Sequence, residues 1–203
     1  MGKITDIRSQ TKNKGRANIF VDGEYFCSLE KLAVLENRLK VGDEIDGEKL
    51  RAAVIDSERT AAFDRAAKYV GLRPRTEKEM RDYLLGKGYD DDTVAYVVEK
   101  LRSYGYIDDA EFARLYIDYV CNRYGKRKIE ADLKAKGISS EIIDAALGEA
   151  DDQSEAVAKL SEKYLRTHPP DMRKLIAYLM SKGFDYETIK SGTADINLGG
   201  DDD

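Results

Sequence analysis

Apolar residues along the chain follow two different periods. In the first fifty residues they alternate: Ile19 and Val21, then Tyr25, Cys27 and Leu29, stand around Asp22-Gly23. That dipeptide favours a tight two-residue hairpin turn. Lys3 to Arg8 supplies a further strand, and Lys40-Val41-Gly42-Asp43-Glu44 reads as a turn. Residues 1–57 are therefore expected to form a small N-terminal module containing a β-hairpin. From about residue 58 the period becomes helical. Val94, Val97, Val98 and Leu101 fall at i, i+3, i+4 and i+7, and Phe112, Leu115, Tyr116, Tyr119 and Val120 extend the pattern to i+8. Thr76-Glu77-Lys78-Glu79 has the spacing of a capping box. Gly88, Gly105 and Gly137 stand where helices should stop.

The helical pattern repeats. Met80-Leu84-Lys87-Gly88-Tyr89-Val94 returns as Ile129-Leu133-Lys136-Gly137-Ile138-Ile143 and again as Leu175-Leu179-Lys182-Gly183-Phe184-Ile189, at intervals of 49 and then 46 residues. In each copy the apolar residues eight and four before the glycine make one helix face. The lysine closes that helix, and the apolar residue after the glycine packs back as the next begins. A further helical segment precedes each copy: Ala61–Val70, Asp109–Asn122 and Ser154–Arg166. The predicted fold is mainly α, with three tandem three-helix modules at 58–107, 108–152 and 153–196. These form an elongated, curved body behind the β-containing module, and 197–203 form a disordered acidic tail.

Composition narrows the function. Hydrophobic residues make up 42% of the 203 and charged residues 36%, which describes a folded chain with a charge-rich surface. No apolar run approaches the roughly 20 residues of a membrane span, and Met1 to Asp6 lack the apolar core of a signal peptide. A cytoplasmic protein is expected, with Cys27 and Cys121 as reduced, partly buried thiols. The net charge of −5 argues against a simple binder of naked DNA. Candidates for chemistry are few. His168, the only histidine, lies between predicted helices in Thr-His-Pro-Pro-Asp. Asp90-Asp91-Asp92 and Asp108-Asp109 open helices, where acidic side chains cap backbone amides. No catalytic residue, metal site or cofactor is predicted.

Basic residues are distributed less evenly. Arg123, Lys126, Arg127, Lys128 and Lys134 crowd the start of the middle module's second helix, and Arg73, Arg75 and Arg81 lie at the corresponding place in the first. Stacked modules would align these positions into a stripe suited to phosphates or to an acidic protein groove.

Longer strings resemble one family. Ala62-Phe63-Asp64-Arg65-Ala66-Ala67, Arg75-Thr76-Glu77-Lys78-Glu79-Met80-Arg81 and Gly105-Tyr106-Ile107-Asp108-Asp109-Ala110-Glu111-Phe112-Ala113 are similar to RecX regulatory proteins. So are Gly125-Lys126-Arg127-Lys128-Ile129 in the middle module and Leu179-Met180-Ser181-Lys182-Gly183-Phe184-Asp185-Tyr186 in the last. The likeness covers roughly residues 58–190. It implies a non-enzymatic regulator of recombination and DNA repair that lodges along the RecA nucleoprotein filament. Such a regulator blocks filament extension, lowers the ATPase and curbs strand exchange. The partner is then the RecA filament, with DNA met mainly inside it, no membrane, and a monomeric regulator. The eight basic residues above would make the contact. One departure is that residues 151–203 carry 7 basic against 11 acidic side chains, which weakens the case for autonomous DNA binding. A helical-repeat nucleic-acid-binding protein working without RecA is the alternative, and a nuclease using the acidic clusters is a third reading.

Overall fold

The computed structural model describes residues 1–11, 14–150 and 152–196; the predicted acidic tail lies outside them. Its chain contacts divide into two compact units, Met1–Arg73 with Arg81–Tyr106, and Pro74–Met80 with the residues from Ile107 onward.

The first unit opens with an antiparallel sheet of β1 (Gly2–Ser9), β2 (Arg16–Val21), β3 (Glu24–Glu30) and the short β4 (Glu44–Ile45), in the order β3-β2-β1-β4. The hairpin turn falls at Asp22 and Gly23, both with positive φ (51° and 88°), because the twist of paired strands favours left-handed turn residues. Ile4, Ile19 and Leu29 point to one side of the sheet. They are covered by Ala33 of the short helix α1 (Lys31–Glu36) and Leu50 of α2 (Gly47–Val70). The helix predicted over 61–70 thus starts at Gly47, capped by the Asp46 carboxylate on the Glu48 amide. Its early turns bury Leu50 and Ala53, and its later ones Ala62 and Ala66. One helix therefore serves both the sheet and α4 (Asp91–Ser103), which buries Val94, Val97, Val98 and Leu101.

The remaining helices are α3 (Glu77–Leu85), α5 (Asp109–Val120), α6 (Lys126–Ala135), α7 (Ser140–Glu149), α8 (Ser154–Leu165), α9 (Met172–Ser181) and α10 (Tyr186–Gly192). The division between units falls within α3. In the second unit α5, α6 and α7 enclose one core around Ile117, Ile129, Leu133 and Ile143, and α8, α9 and α10 another around Val157, Leu175, Leu179 and Phe184.

The repeated string has a backbone cause. Gly88, Gly137 and Gly183 take φ of 87°, 86° and 90°. In each copy the glycine amide bonds the carbonyl three residues back, and the next amide bonds that of the preceding leucine: Tyr89 to Leu84, Ile138 to Leu133 and Phe184 to Leu179. This is the Schellman ending, which needs a residue free to turn left-handed and an apolar residue after it. Asp90, Ser139 and Asp185 follow directly and cap α4, α7 and α10 through the amides of Thr93, Ile142 and Thr188. The acidic opening of α4 is a cap, as its position suggested, and so is Asp108 on the Ala110 and Glu111 amides.

Within the second unit, helices of different modules meet end to end. The buried Thr76 hydroxyl donates to the Lys136 carbonyl at the end of α6 (2.8 Å) and accepts from the Glu79 amide (3.2 Å). Glu79 does not complete the predicted capping box. Its carboxylate turns to Lys136 (3.3 Å) and Arg75 (3.7 Å), and the Asp109 carboxylate accepts from the neighbouring Glu77 amide (2.9 Å). One module on, the amides of Gly125 and Arg127 donate to the carbonyls of Lys182 (3.0 Å) and Gly183 (3.2 Å) at the end of α9. A Cβ on Gly183 would overlap Lys128, and one on Gly125 would overlap Gly183 and Phe184. At Gly88 no described atom lies within 4 Å of that point.

Gly88→Ala and Gly183→Ala share the left-handed strain of roughly 1–2 kcal/mol. Gly183→Ala adds an overlap worth about 1–3 kcal/mol, so its urea midpoint falls further; equal losses would contradict the end-to-end contact. Asp185→Ala removes a cap worth about 1 kcal/mol at pH 7. The Thr188 amide holds the Asp185 carboxyl below its ordinary range. Its stabilisation is therefore present above the unfolded carboxylate pKa of about 4 and is lost as pH falls through the lower folded value. Thermal melts of the two proteins should converge at low pH.

Candidate interaction site

The basic residues singled out in the sequence divide by what they touch. Around the start of α6, Arg123 is exposed and donates to the Tyr119 carbonyl (3.1 Å), with its guanidinium 4.6 Å from the exposed Tyr119 ring. Lys126 reaches the Leu147 carbonyl near the end of α7 (3.2 Å) and so closes that helix. Arg127 is exposed, and its charge lies near Asp185. Lys128 pairs with Asp132 (2.8 Å) and Lys134 with Glu130 (2.6 Å), each one helical turn along α6. These bonds raise the pKa of both lysines. Exposed pairs of this kind contribute little to stability, so both ammonium groups are available for exchange to another anion.

Residues at the corresponding place in the first module do not all behave alike. Arg75 has only 10% of its side chain exposed and faces Glu79. Arg73 is exposed, and Arg81 is half-buried. Arg75 belongs to the second unit, whereas Arg73 and Arg81 belong to the first.

Three cations at the beginning of a helix oppose its dipole, and α6 has no acidic residue in its first turn. The end-to-end contact offsets this. The carbonyl end of α9 faces the first turn of α6, placing partial negative charge beside Arg127 and Lys128. Carboxylates stand beside the cluster as well, Asp132 at Lys128, Glu130 at Lys134 and Asp185 near Arg127.

The lysine of the repeat has a role that spacing did not reveal. Lys87 lies 5.4 Å from the Tyr83 ring, Lys136 5.6 Å from Phe112 and 5.9 Å from Tyr116, and Lys182 5.4 Å from Tyr124 and 5.5 Å from Tyr178. Cations over ring faces gain about 0.5–1 kcal/mol at exposed sites, so these lysines join a helix end to an aromatic wall.

Groups suited to catalysis are engaged elsewhere. Burial pushes the Cys27 thiol up to about 11, far from a reactive thiolate. Cys121 donates to the Asp118 carbonyl (3.4 Å). His168 is an exposed loop residue stacked on Tyr164 at 4.1 Å. Among the described residues no helix is long and apolar enough to cross a membrane.

Family models match the chain in order along its length. They are the regulatory protein RecX N-terminal domain at residues 2–46, and the first, second and third three-helix domains of RecX at 62–101, 108–147 and 151–191. Regulatory protein RecX of Clostridium tetani is 34% identical over 200 residues, covering 94% of this chain and 93% of that protein. Its counterpart from Lactobacillus delbrueckii subsp. bulgaricus is 34% identical over 213 residues, covering 100% of this chain and 78% of its own length. A crystal structure of regulatory protein RecX superposes with a TM-score of 0.70 at 28% identity, covering 96% of this chain and 100% of that one. The crystal structure of RecX from Lactobacillus salivarius gives 0.65 at 26% identity, covering 70% of this chain and 98% of its own. With four matched domains in one order and a shared fold, the chain belongs to the RecX family of regulatory proteins.

Proposed function

We propose that this protein regulates homologous recombination and DNA repair by binding the RecA nucleoprotein filament, and that it inhibits filament extension, ATPase and strand exchange without chemistry of its own. The observation that carries the reading is the match of all four RecX domains in order. The protein acts in the cytoplasm, as a monomer, and meets DNA mainly within the filament. Arg73, Arg81, Arg123, Arg127, Lys128 and Lys134 are the basic residues whose placement suits contact with acidic groove residues or filament-bound phosphates. Arg75 and Lys126 are engaged within the fold, and for them a contact role is secondary. Modules engaging neighbouring protomers together would raise affinity beyond that of any single contact, and the charged part of that affinity weakens with salt.

The test is RecA ATPase on single-stranded DNA while this protein is titrated, beside the triple variant Arg123→Ala, Arg127→Ala, Lys128→Ala. Lys126 is kept because it closes α7. The native protein should inhibit, and the variant should need at least about tenfold more protein. Inhibition by both alike would keep the function and discard the site. Inhibition by neither, with tight binding to an oligonucleotide alone, would favour a nucleic-acid-binding protein independent of RecA.

A further inference from the structure

The first unit carries an aromatic surface that spacing did not single out. Arg59 and Phe63 stand one turn apart on α2, and Tyr96 and Lys100 one turn apart on α4. The Arg59 guanidinium lies 4.4 Å from the Tyr96 ring. The Lys100 ammonium lies 4.9 Å from Phe63 and 5.8 Å from Tyr96. Phe63 meets Tyr104 edge to face at 5.8 Å, and Tyr104 meets Tyr106 the same way at 6.2 Å. The last two rings flank Gly105, whose φ of 70° closes α4. Tyr96, Tyr104 and Tyr106 remain 40%, 59% and 53% exposed.

Two features separate this surface from ordinary packing. The repeat does not require it: the positions equivalent to Tyr96 and Lys100 on α7 are Ala145 and Glu149, and no aromatic residue follows α7 before α8 or follows α10. Its cations also face rings rather than carboxylates. Lys128 and Lys134 bond their own carboxylates, whereas Arg59 and Lys100 form no ion pair among the described residues. The Arg59 Nε is buried without a hydrogen-bond partner. A contiguous group of tyrosine, phenylalanine and arginine, part apolar and part cationic, has the composition of the centre of a protein interface.

We propose that Arg59, Phe63, Tyr96, Lys100, Tyr104 and Tyr106 form a docking surface for an acidic, partly apolar protein surface on the filament. The proposal rests on the filament-binding reading above. Charge complementarity selects the occupant: two cations without carboxylates call for carboxylates, and three exposed phenol groups supply hydroxyl donors around them. A nucleic-acid strand fits less well, because the protein's own cations already cover the faces of Phe63 and Tyr96 on which bases would stack. Covering the patch with protein removes water from both cations, which strengthens their attraction to the incoming carboxylates.

The experiment measures affinity of the full chain for preformed RecA filaments on single-stranded DNA, and separately for the same oligonucleotide alone. The proteins compared are native, Lys100→Glu, Lys100→Arg and the double variant Tyr104→Ala, Tyr106→Ala, with circular dichroism melts as a check of folding. Lys100→Glu and the double tyrosine variant should each weaken filament binding at least about tenfold, the range of interface centres. Lys100→Arg should stay close to native, and oligonucleotide affinity should not move. Native filament binding that all variants keep overturns the docking surface and leaves the filament reading intact. Absence of filament binding by the native protein overturns both. Loss of oligonucleotide affinity in the same variants would assign the surface to nucleic acid and overturn the proposal.

Discussion

The contact on which the second unit depends is between helix ends. Every α-helix leaves unpaired amides at its start and unpaired carbonyls at its finish, and here the start of α6 gives its Gly125 and Arg127 amides to the carbonyls closing α9. The start of α3 makes the corresponding contact with α6 through the Thr76 hydroxyl. The choice of first residue follows. Gly125 has no room for a side chain, Thr76 spans the gap with a hydroxyl, and Asp171 at the start of α9 is an ordinary cap on the Lys174 amide. The left-handed glycines ending α6 and α9 let the preceding module approach the exposed carbonyls. Within the second unit the separate cores of α5–α7 and α8–α10 are thereby joined through backbone groups.

Cations in this protein divide by what they touch. Lys126 closes α7, Arg75 faces Glu79, and the three repeat lysines rest on aromatic rings. Arg127 and Lys128 stand at the start of α6 beside the carbonyl end of α9, and Arg59 and Lys100 stand on rings without carboxylates. Net charge conceals this division. The chain carries −5 overall, and Asp46, Asp90, Asp108, Asp171 and Asp185 stand at helix starts as caps, away from those cations in sequence.

Features with local causes were legible in the sequence. The hairpin follows from Asp22-Gly23, the helix ends from leucine, lysine, glycine and an apolar residue in fixed spacing, and the caps from acidic residues at helix starts. Features with distant causes were not. Gly47 to Thr60 mixes apolar and charged positions without a clear stripe, since Leu50 and Val54 serve the sheet side while later turns serve α4. The predicted helix therefore began too late. Lys126 resembled its basic neighbours because its partner, the Leu147 carbonyl, is remote in sequence, whereas Arg75 faces Glu79 of α3 only four residues on. The aromatic surface has no single sequence signal because Phe63 lies on α2, 33 residues before Tyr96 of α4.

The functional account joins a family assignment to two surfaces, the basic cluster of α6 on the second unit and the aromatic patch on the first. Its central claim is that both surfaces meet the RecA filament. Hydrogen exchange of the full chain, alone and on filaments assembled on single-stranded DNA, tests that claim most directly. Exchange should slow on the filament over 122–128 and over 100–106, with the β-module unchanged. Identical exchange in the two states, or protection confined to the β-module, would contradict it.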